Sequence, residues 1–183
     1  MANYYFTVAS LPHLSYQMEK LLTIDNFFQV CEDNLSPNDV AVIKSAKIFD
    51  FDNVETLSKV LSDWYVWEKN LRNKLVLLRS KKKGDDGEEY LRETPKVFDG
   101  EKDANLAFSQ ESPLEAEDIL NRARWSYLES LEFGHYFDAE LLIIYYIKLQ
   151  LLWHMESYDK EMGSSTFNEI VQRANEFEIF QSL

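Results

Sequence analysis

The sequence predicts an all-α fold, and three observations lead to this prediction. Glycine and proline together number only 9 of 183 residues, too few for the many turns of a sandwich or barrel. Hydrophobic residues make up 45% of the chain and aromatic residues 14%, which supplies a sizeable core. Two long stretches rich in apolar residues are each followed by a glycine, and the first repeats its apolar residues at three- and four-residue steps. We therefore expect a single helical domain over residues 1–183.

The first part of the chain predicts a short extended segment followed by short helices. Residues 1–9 are rich in aromatic and β-branched side chains, which favour extended backbone. The sequence Ser36-Pro37 places a capping side chain directly before a proline, a pattern typical of a helix N-terminus. Helix starts are predicted at Thr23 or Asp25, at Ser36 and at Asn53.

Two long helices are predicted, one on each side of an acidic segment. The first starts at about Ser62 and ends in the run Lys81-Lys82-Lys83-Gly84, because basic residues in the last turn followed by glycine form a stop signal. Ser112-Pro113 with Glu115 predicts a helix that begins with a capping box and is broken at Gly134. The second long helix is predicted from about Tyr136 to Glu161, and its apolar residues lie on almost every side, which is typical of a central helix covered by others. A last helix is predicted from Ser164 or Ser165.

Residues 85–112 differ from the rest in composition. They hold nine acidic and three basic residues, together with Gly87, Pro95 and Gly100, and they show no regular apolar period. We expect an exposed acidic loop here, because long connections without structure are usually functional or disordered. The loop separates a predicted first lobe, about residues 10–84, from a second lobe, about residues 113–183.

The net charge of −13 is unevenly distributed and excludes some partners. Residues 1–84 carry a net charge of +1, and residues 85–183 carry −14. Nucleic acid is an unsuitable partner, because binding to it depends on Lys and Arg neutralising phosphates. The single cysteine and the absence of an apolar run long enough to cross a bilayer lead us to expect a cytoplasmic protein, either soluble or held at a membrane through partner proteins.

No residue pattern predicts catalysis, a cofactor or a metal. The sequence lacks a Gly-rich phosphate loop, a G-x-S-x-G motif and a Cys-x-x-Cys pair. Glu132 and His135 have the spacing used in di-iron bundles, but neither His13 nor His154 has a Glu three residues before it to complete such a site. We expect Cys31 to be a buried core thiol. A carboxylate or metal enzyme therefore ranks last among the functional hypotheses for this chain.

The two long helices can be aligned with each other. An offset of 72 residues places Trp64-Tyr65 on Tyr136-Phe137 and Glu68 on Glu140. This internal similarity predicts two related helical lobes.

Three stretches resemble known families linked to rotary ATPases. Glu68-Lys69-Asn70-Leu71-Arg72-Asn73, followed by Leu75, Leu77-Leu78-Arg79 and Lys81, resembles the recurring helix of the C-type subunit of archaeal- and vacuolar-type ATPases. Residues 127–131 with Tyr136-Phe137 are similar to the helix pair that precedes such a motif. Asn3-Tyr4-Tyr5-Phe6, followed by Leu11-Pro12, is similar to an uncharacterised bacterial family encoded among V-type ATPase genes. Asn70 stands where the C-type family prefers Asp.

The resemblance implies a non-catalytic adaptor in a rotary, ion-transporting ATPase, linking the central stalk to the membrane rotor ring without entering the membrane and without a cofactor. It implies structural roles for the motif positions, because buried polar groups must be paired and so restrict helix register. These positions are Glu68, Asn70, Asn73, Arg79 and Glu140. The alternative is a stand-alone interaction protein or assembly factor whose acidic loop docks a basic partner. Candidate contact residues are Lys81, Lys82, Lys83, Asp85 and Asp86.

Overall fold

The regular structure is helical throughout the residues that a computed structural model describes, namely 3–16, 18, 22–49, 58–95 and 99–157. The elements are α1 (Tyr4–Ser10), α2 (Ile24–Asn34), α3 (Pro37–Ser45), α4 (Lys59–Lys83), a 3₁₀ turn (Glu88–Tyr90), α5 (Glu101–Phe108), α6 (Pro113–Leu131) and α7 (Ala139–Glu156). The all-α prediction is confirmed. The helices predicted from Asn53 and from Ser164 or Ser165 lie outside the described residues.

Side-chain caps define where the helices begin. The side chains of Thr23, Ser36 and Ser112 each accept a hydrogen bond from the backbone N–H three residues later, as predicted. Ser58 and Asp138 make the same bond at the starts of α4 and α7. Both long helices therefore differ from prediction at their N-termini: α4 begins three residues earlier and α7 three residues later.

The N-terminal segment contains a helix, so the prediction of extended backbone over residues 1–9 is wrong for residues 4–9. Asn3 caps the helix, its Oδ1 accepting from Phe6 N at 3.2 Å, and the Thr7 hydroxyl donates to the Asn3 carbonyl at 3.0 Å. Asn3 N also bonds to the carbonyl of Asn34 at the end of α2, at 3.1 Å. Capping and packing against α2 outweigh the weak β propensity of the side chains.

The predicted acidic loop contains a helix, so that prediction is wrong for residues 101–108. Helix α5 buries Ala104 and Ala107 and packs against α4 and α6. Its first turn holds Glu101 and Asp103, whose charges suit a helix N-terminus. The helix escaped prediction because its buried residues are small, which leaves almost no apolar period.

Helices α4, α6 and α7 form the centre of the fold. The starts of α4 and α7 lie together, since the Ser58 hydroxyl donates to the Glu140 carboxylate. Helix α6 runs in the opposite direction, with the Tyr127 hydroxyl bonded to the Asp63 carbonyl at 3.3 Å. Helix α7 is buried on most sides, as its unbroken apolar sequence predicts, and packs on α2, α3, α4 and α6.

One hydrophobic core joins the described helices. Buried residues from α2, α3 and α4 belong to the same cluster as those from α6 and α7. The long helices of the two predicted lobes therefore pack directly against each other, and a division into two lobes is not confirmed. Among the described helices none is long and apolar enough to cross a membrane.

The end of α4 follows the predicted stop signal. Gly84 adopts a left-handed conformation with φ of +84°, and Asp85 N bonds to the Ser80 carbonyl at 3.0 Å, as in a Schellman motif. Gly87, with φ of +72°, then packs against Ser80. A Cβ atom at Gly87 would lie 2.4 Å from Ser80 Oγ, so this approach requires glycine.

Candidate functional site

A buried ion network lies at the contact between α4 and α6. Glu68 is fully buried on α4, and Arg124 is buried on α6. Arg124 Nε lies 3.1 Å from Glu68 Oε2 and Arg124 Nη2 lies 3.2 Å from Oε1, a bidentate pair. Arg72, one turn along α4, adds a third bond from Nε to Glu68 Oε1 at 2.9 Å. The buried carboxylate is thus held by two guanidinium groups.

The remaining contacts of Arg124 complete this network within α6. Arg124 Nη1 donates to Glu117 Oε1 at 2.8 Å and to Asn121 Oδ1 at 2.7 Å. Burial lowers the pKa of Arg124, but the Glu68 and Glu117 carboxylates outweigh it and leave the pKa above its ordinary value. Two arginines balance two glutamates, and the two buried members, Glu68 and Arg124, are paired directly, as buried charges require.

Two rings lie beside the arginines. The guanidinium carbons of Arg72 and Arg124 lie 5.2 and 5.3 Å from the centre of the Phe49 ring, within cation–π range. The Phe49 ring meets the His154 ring edge-on, with centroids 4.9 Å apart. The pKa of His154 is lowered, first by burial and also by Arg124, against an opposing effect of Glu117. The network therefore reaches the C-terminal end of α7.

Two asparagines on α4 hold the segment that follows the helix. Asn70 Nδ2 donates to the Pro95 carbonyl at 2.9 Å and to Thr94 Oγ1 at 3.1 Å. Asn73 forms a reciprocal pair with the Arg92 backbone, donating to the carbonyl at 2.8 Å and accepting from the amide at 3.0 Å. Residues 92–95 are therefore tied to the helix surface.

The other predicted positions lie elsewhere. Glu140 contacts Ser58 at the opposite end of the helix bundle from the Phe49 ring, and Arg79 is exposed on α4, away from the ion network. The structure thus brings Glu68, Asn70 and Asn73 onto one stretch of α4 but does not add Arg79 or Glu140 to it. All of the residues predicted for partner contact are exposed, namely Lys81, Lys82, Lys83, Asp85 and Asp86.

Sequence reasoning missed Arg124 and Glu117. A signal for Arg124 was present, because it falls midway between Leu120 and Leu128 at four-residue spacing on the apolar face of α6. A charge in that position needs a buried partner. Its main partner is 56 residues away along the chain, a separation that spacing rules do not cover.

The other chemically interesting side chains do not converge. Glu132 Oε1 accepts from Lys148 Nζ at 2.7 Å, whereas His135 Nδ1 lies 2.7 Å from Asp138 Oδ2. Over the described ranges, no group of three or more His, Cys, Asp and Glu is placed to hold a metal. Cys31 is fully buried, as predicted, and burial followed by the nearby Glu32 raises its pKa to about 12.

An exposed aromatic cluster, here called the aromatic surface, consists of Tyr5 on α1 and of Phe133, Tyr136 and Phe137 in the turn between α6 and α7. Their exposed fractions are 65%, 90%, 67% and 51%. The rings of Tyr5 and Phe137 pack with centroids 4.7 Å apart. Sequence reasoning placed Tyr136 and Phe137 at the start of a buried helix, whereas Gly134, with φ of +92°, opens a turn that holds them outside it.

One comparison identifies a family. The model of the family described as "Protein of unknown function (DUF2764)" matches residues 1–58 and 103–176, which together exceed half of the chain. The aromatic surface lies within the matched segments, whereas α4 lies between them. No curated protein and no solved structure was found to match the chain. The extent of the family match shows that the chain belongs to the DUF2764 family.

Proposed function

We propose that the protein is a non-catalytic adaptor associated with a V-type ATPase and similar in role to the C-type subunit of that complex. The resemblance of residues 68–81 to the recurring helix of the C-type family supports this proposal. The observation that carries it is that three polar residues of that stretch form hydrogen bonds within the protein. Glu68 is paired with two arginines, and Asn70 and Asn73 hold the following segment. These contacts suit residues that set helix register.

The proposed partners are subunits of the central stalk and the membrane rotor ring. An adaptor at this position would be cytoplasmic and held at the membrane through those subunits. The net charge of −14 over residues 85–183 favours a basic protein surface as the partner.

Affinity purification of the full chain from gently solubilised membranes of its source organism tests this proposal. We expect quantitative mass spectrometry to find stalk and rotor subunits enriched over an untagged control strain. A permanent subunit would be recovered in a fixed ratio to the ATPase. Recovery of no ATPase subunit would rule the proposal out.

The second candidate is an assembly factor, and the aromatic surface favours it, because a transient partner leaves its docking surface exposed for part of the time. This candidate predicts binding to partly built complexes only. Separating the purified complexes by size distinguishes the two: an adaptor travels with the intact ATPase, whereas an assembly factor travels with smaller species. None of the described contacts favours the third hypothesis, a carboxylate or metal enzyme.

A further inference from the structure

We propose that the aromatic surface docks a partner segment that combines Lys or Arg with apolar side chains. The proposal does not depend on the identity of the partner as an ATPase component, so it goes beyond the proposed function. Phe133 and Tyr136 expose 90% and 67% of their surface. They lie in the same connection between α6 and α7 as Phe137, whose ring packs against Tyr5. Aromatic side chains contribute most of the binding energy in many protein interfaces.

The turn that carries the aromatic surface is well ordered by local bonds. Asp138 Oδ1 accepts from Leu141 N at 2.9 Å and so fixes the start of α7, and its other oxygen holds His135. His135 N bonds to the Glu132 carbonyl at 3.0 Å across the turn. A surface already held in place loses little conformational freedom on binding, which favours affinity.

The charges around the aromatic surface decide the kind of partner. Residues 129–140 contain no Lys or Arg, and they contain four carboxylates, Glu129, Glu132, Asp138 and Glu140. Lys148 pairs with Glu132, whereas Glu129 and Glu140 accept hydrogen bonds from uncharged groups, an indole and a hydroxyl. Lys59 at the start of α4 also interacts with Glu140. Four carboxylates against these two lysines still leave excess negative charge at the rim of the surface, which a partner with basic groups complements.

A further carboxylate, Asp39 at the start of α3, lies near Tyr4, the neighbour of Tyr5 on α1. Asp39 and Asp138 flank Tyr4, and burial followed by these two carboxylates raises the pKa of Tyr4 to about 12. Helix α1 itself carries no charged residue. The same argument disfavours two other occupants: a second copy of this chain would bring its own carboxylates, and an anionic lipid surface would repel the rim.

The test uses the full chain and a fluorescent amphipathic peptide of Lys and Leu, followed by anisotropy. The variant Phe133→Ser/Tyr136→Ser removes apolar surface without changing the net charge. The control Tyr90→Ser/Leu114→Ser removes exposed apolar side chains far along the chain from the aromatic surface. We expect the first variant to weaken binding at least about tenfold and the control to stay within about twofold of the wild type. Equal affinity of both variants would overturn the proposal.

Three further experiments test which kind of partner binds the aromatic surface. Tight binding of a Glu and Leu peptide would contradict a basic partner. If the wild type sediments as a dimer and Phe133→Ser/Tyr136→Ser sediments as a monomer, the aromatic surface binds a second copy of this chain instead of a partner segment. If the wild type binds phosphatidylglycerol vesicles and the same variant does not, the aromatic surface binds a membrane instead of a partner segment.

The proposal about the aromatic surface and the proposed adaptor function can fail independently of each other. If the variant purifies ATPase subunits as well as the wild type does and binds the peptide equally, the surface proposal fails while the adaptor proposal stands. If the variants differ in peptide binding but no ATPase component is recovered, the adaptor proposal fails while the surface proposal stands.

Discussion

Glu68 shows how much one buried residue depends on its partners. A fully buried carboxylate is costly to remove from water, and three hydrogen bonds from Arg72 and Arg124 offset that cost. A shift of α4 against α6 would separate Glu68 from Arg124 and leave buried charges without partners. The pair therefore specifies helix register even where it adds little net stability.

Glu68→Gln tests this dependence. The substitution leaves Arg124 buried with one carboxylate, so we expect a loss of about 3 kcal/mol in the free energy of unfolding, measured in urea. Glu32→Gln is the matched control, since Glu32 pairs with Lys44 at a half-exposed site and should cost below about 1 kcal/mol. Similar losses in the two variants would contradict a buried, coupled network.

His154 should make stability depend on pH. Its folded pKa lies below the ordinary value of 6.5, so the unfolded chain binds the proton more readily. The contribution of His154 is therefore present at neutral pH and is lost as the pH falls below about 6.5. Between about pH 7.5 and about pH 5, the wild type should lose stability more steeply than His154→Gln does in denaturant titrations. Parallel curves would show that His154 does not titrate in this way.

At the scale of elements, α4 organises the residues that follow it. Its Asn70 and Asn73 hold residues 92–95, its Trp67 indole donates to Asp99 at 2.8 Å, and its Ser80 receives the close approach of Gly87. The segment predicted to be a free loop is thus bound at several points along one helix.

Gly87→Ala should disturb this arrangement more than Gly84→Ala. Both glycines have positive φ, so each alanine should cost about 1 kcal/mol for backbone conformation. Gly84 faces open space, whereas a Cβ at Gly87 meets Ser80. We expect a larger loss of stability for Gly87→Ala and faster hydrogen exchange in residues 88–95. Equal effects of the two substitutions would mean that the contact with Ser80 is dispensable.

Helix boundaries were predictable where they depend on neighbouring residues. Ser36, Ser112 and Gly84 act through bonds to groups within a few positions, so their roles can be inferred from the chain itself. Helices α1 and α5 were not predictable in this way. Both are short, and packing on α2, or on α4 and α6, stabilises them.

The candidate site was predictable only in part, for the same reason. Glu68, Asn70 and Asn73 were found through resemblance to a family, and each proves to be internally bonded. Arg124 completes the network from another helix, and no local pattern links it to Glu68. The aromatic surface was missed because Phe133, Tyr136 and Phe137 have the composition of core residues, and only the turn at Gly134 leaves them exposed.

Across the whole molecule, the apolar core has two kinds of exception: buried charged residues and exposed aromatic residues. Charged Glu68 and Arg124 lie in the interior, while Phe133 and Tyr136 lie outside. The interior pair joins α4 to α6, and the exterior rings leave apolar surface exposed. The proposed adaptor and the alternative assembly factor would each need a rigid body and a contact surface, so we propose that a V-type ATPase subunit meets the protein at the aromatic surface.

Hydrogen exchange of the full chain, alone and with purified V-type ATPase, tests most directly whether the aromatic surface is the contact surface. We predict that binding slows exchange in residues 3–10 and 131–138, which carry the aromatic surface, and leaves residues 65–75 around Glu68 unchanged. Unaltered exchange in residues 3–10 and 131–138 with the ATPase present would contradict the proposal that the ATPase binds at the aromatic surface.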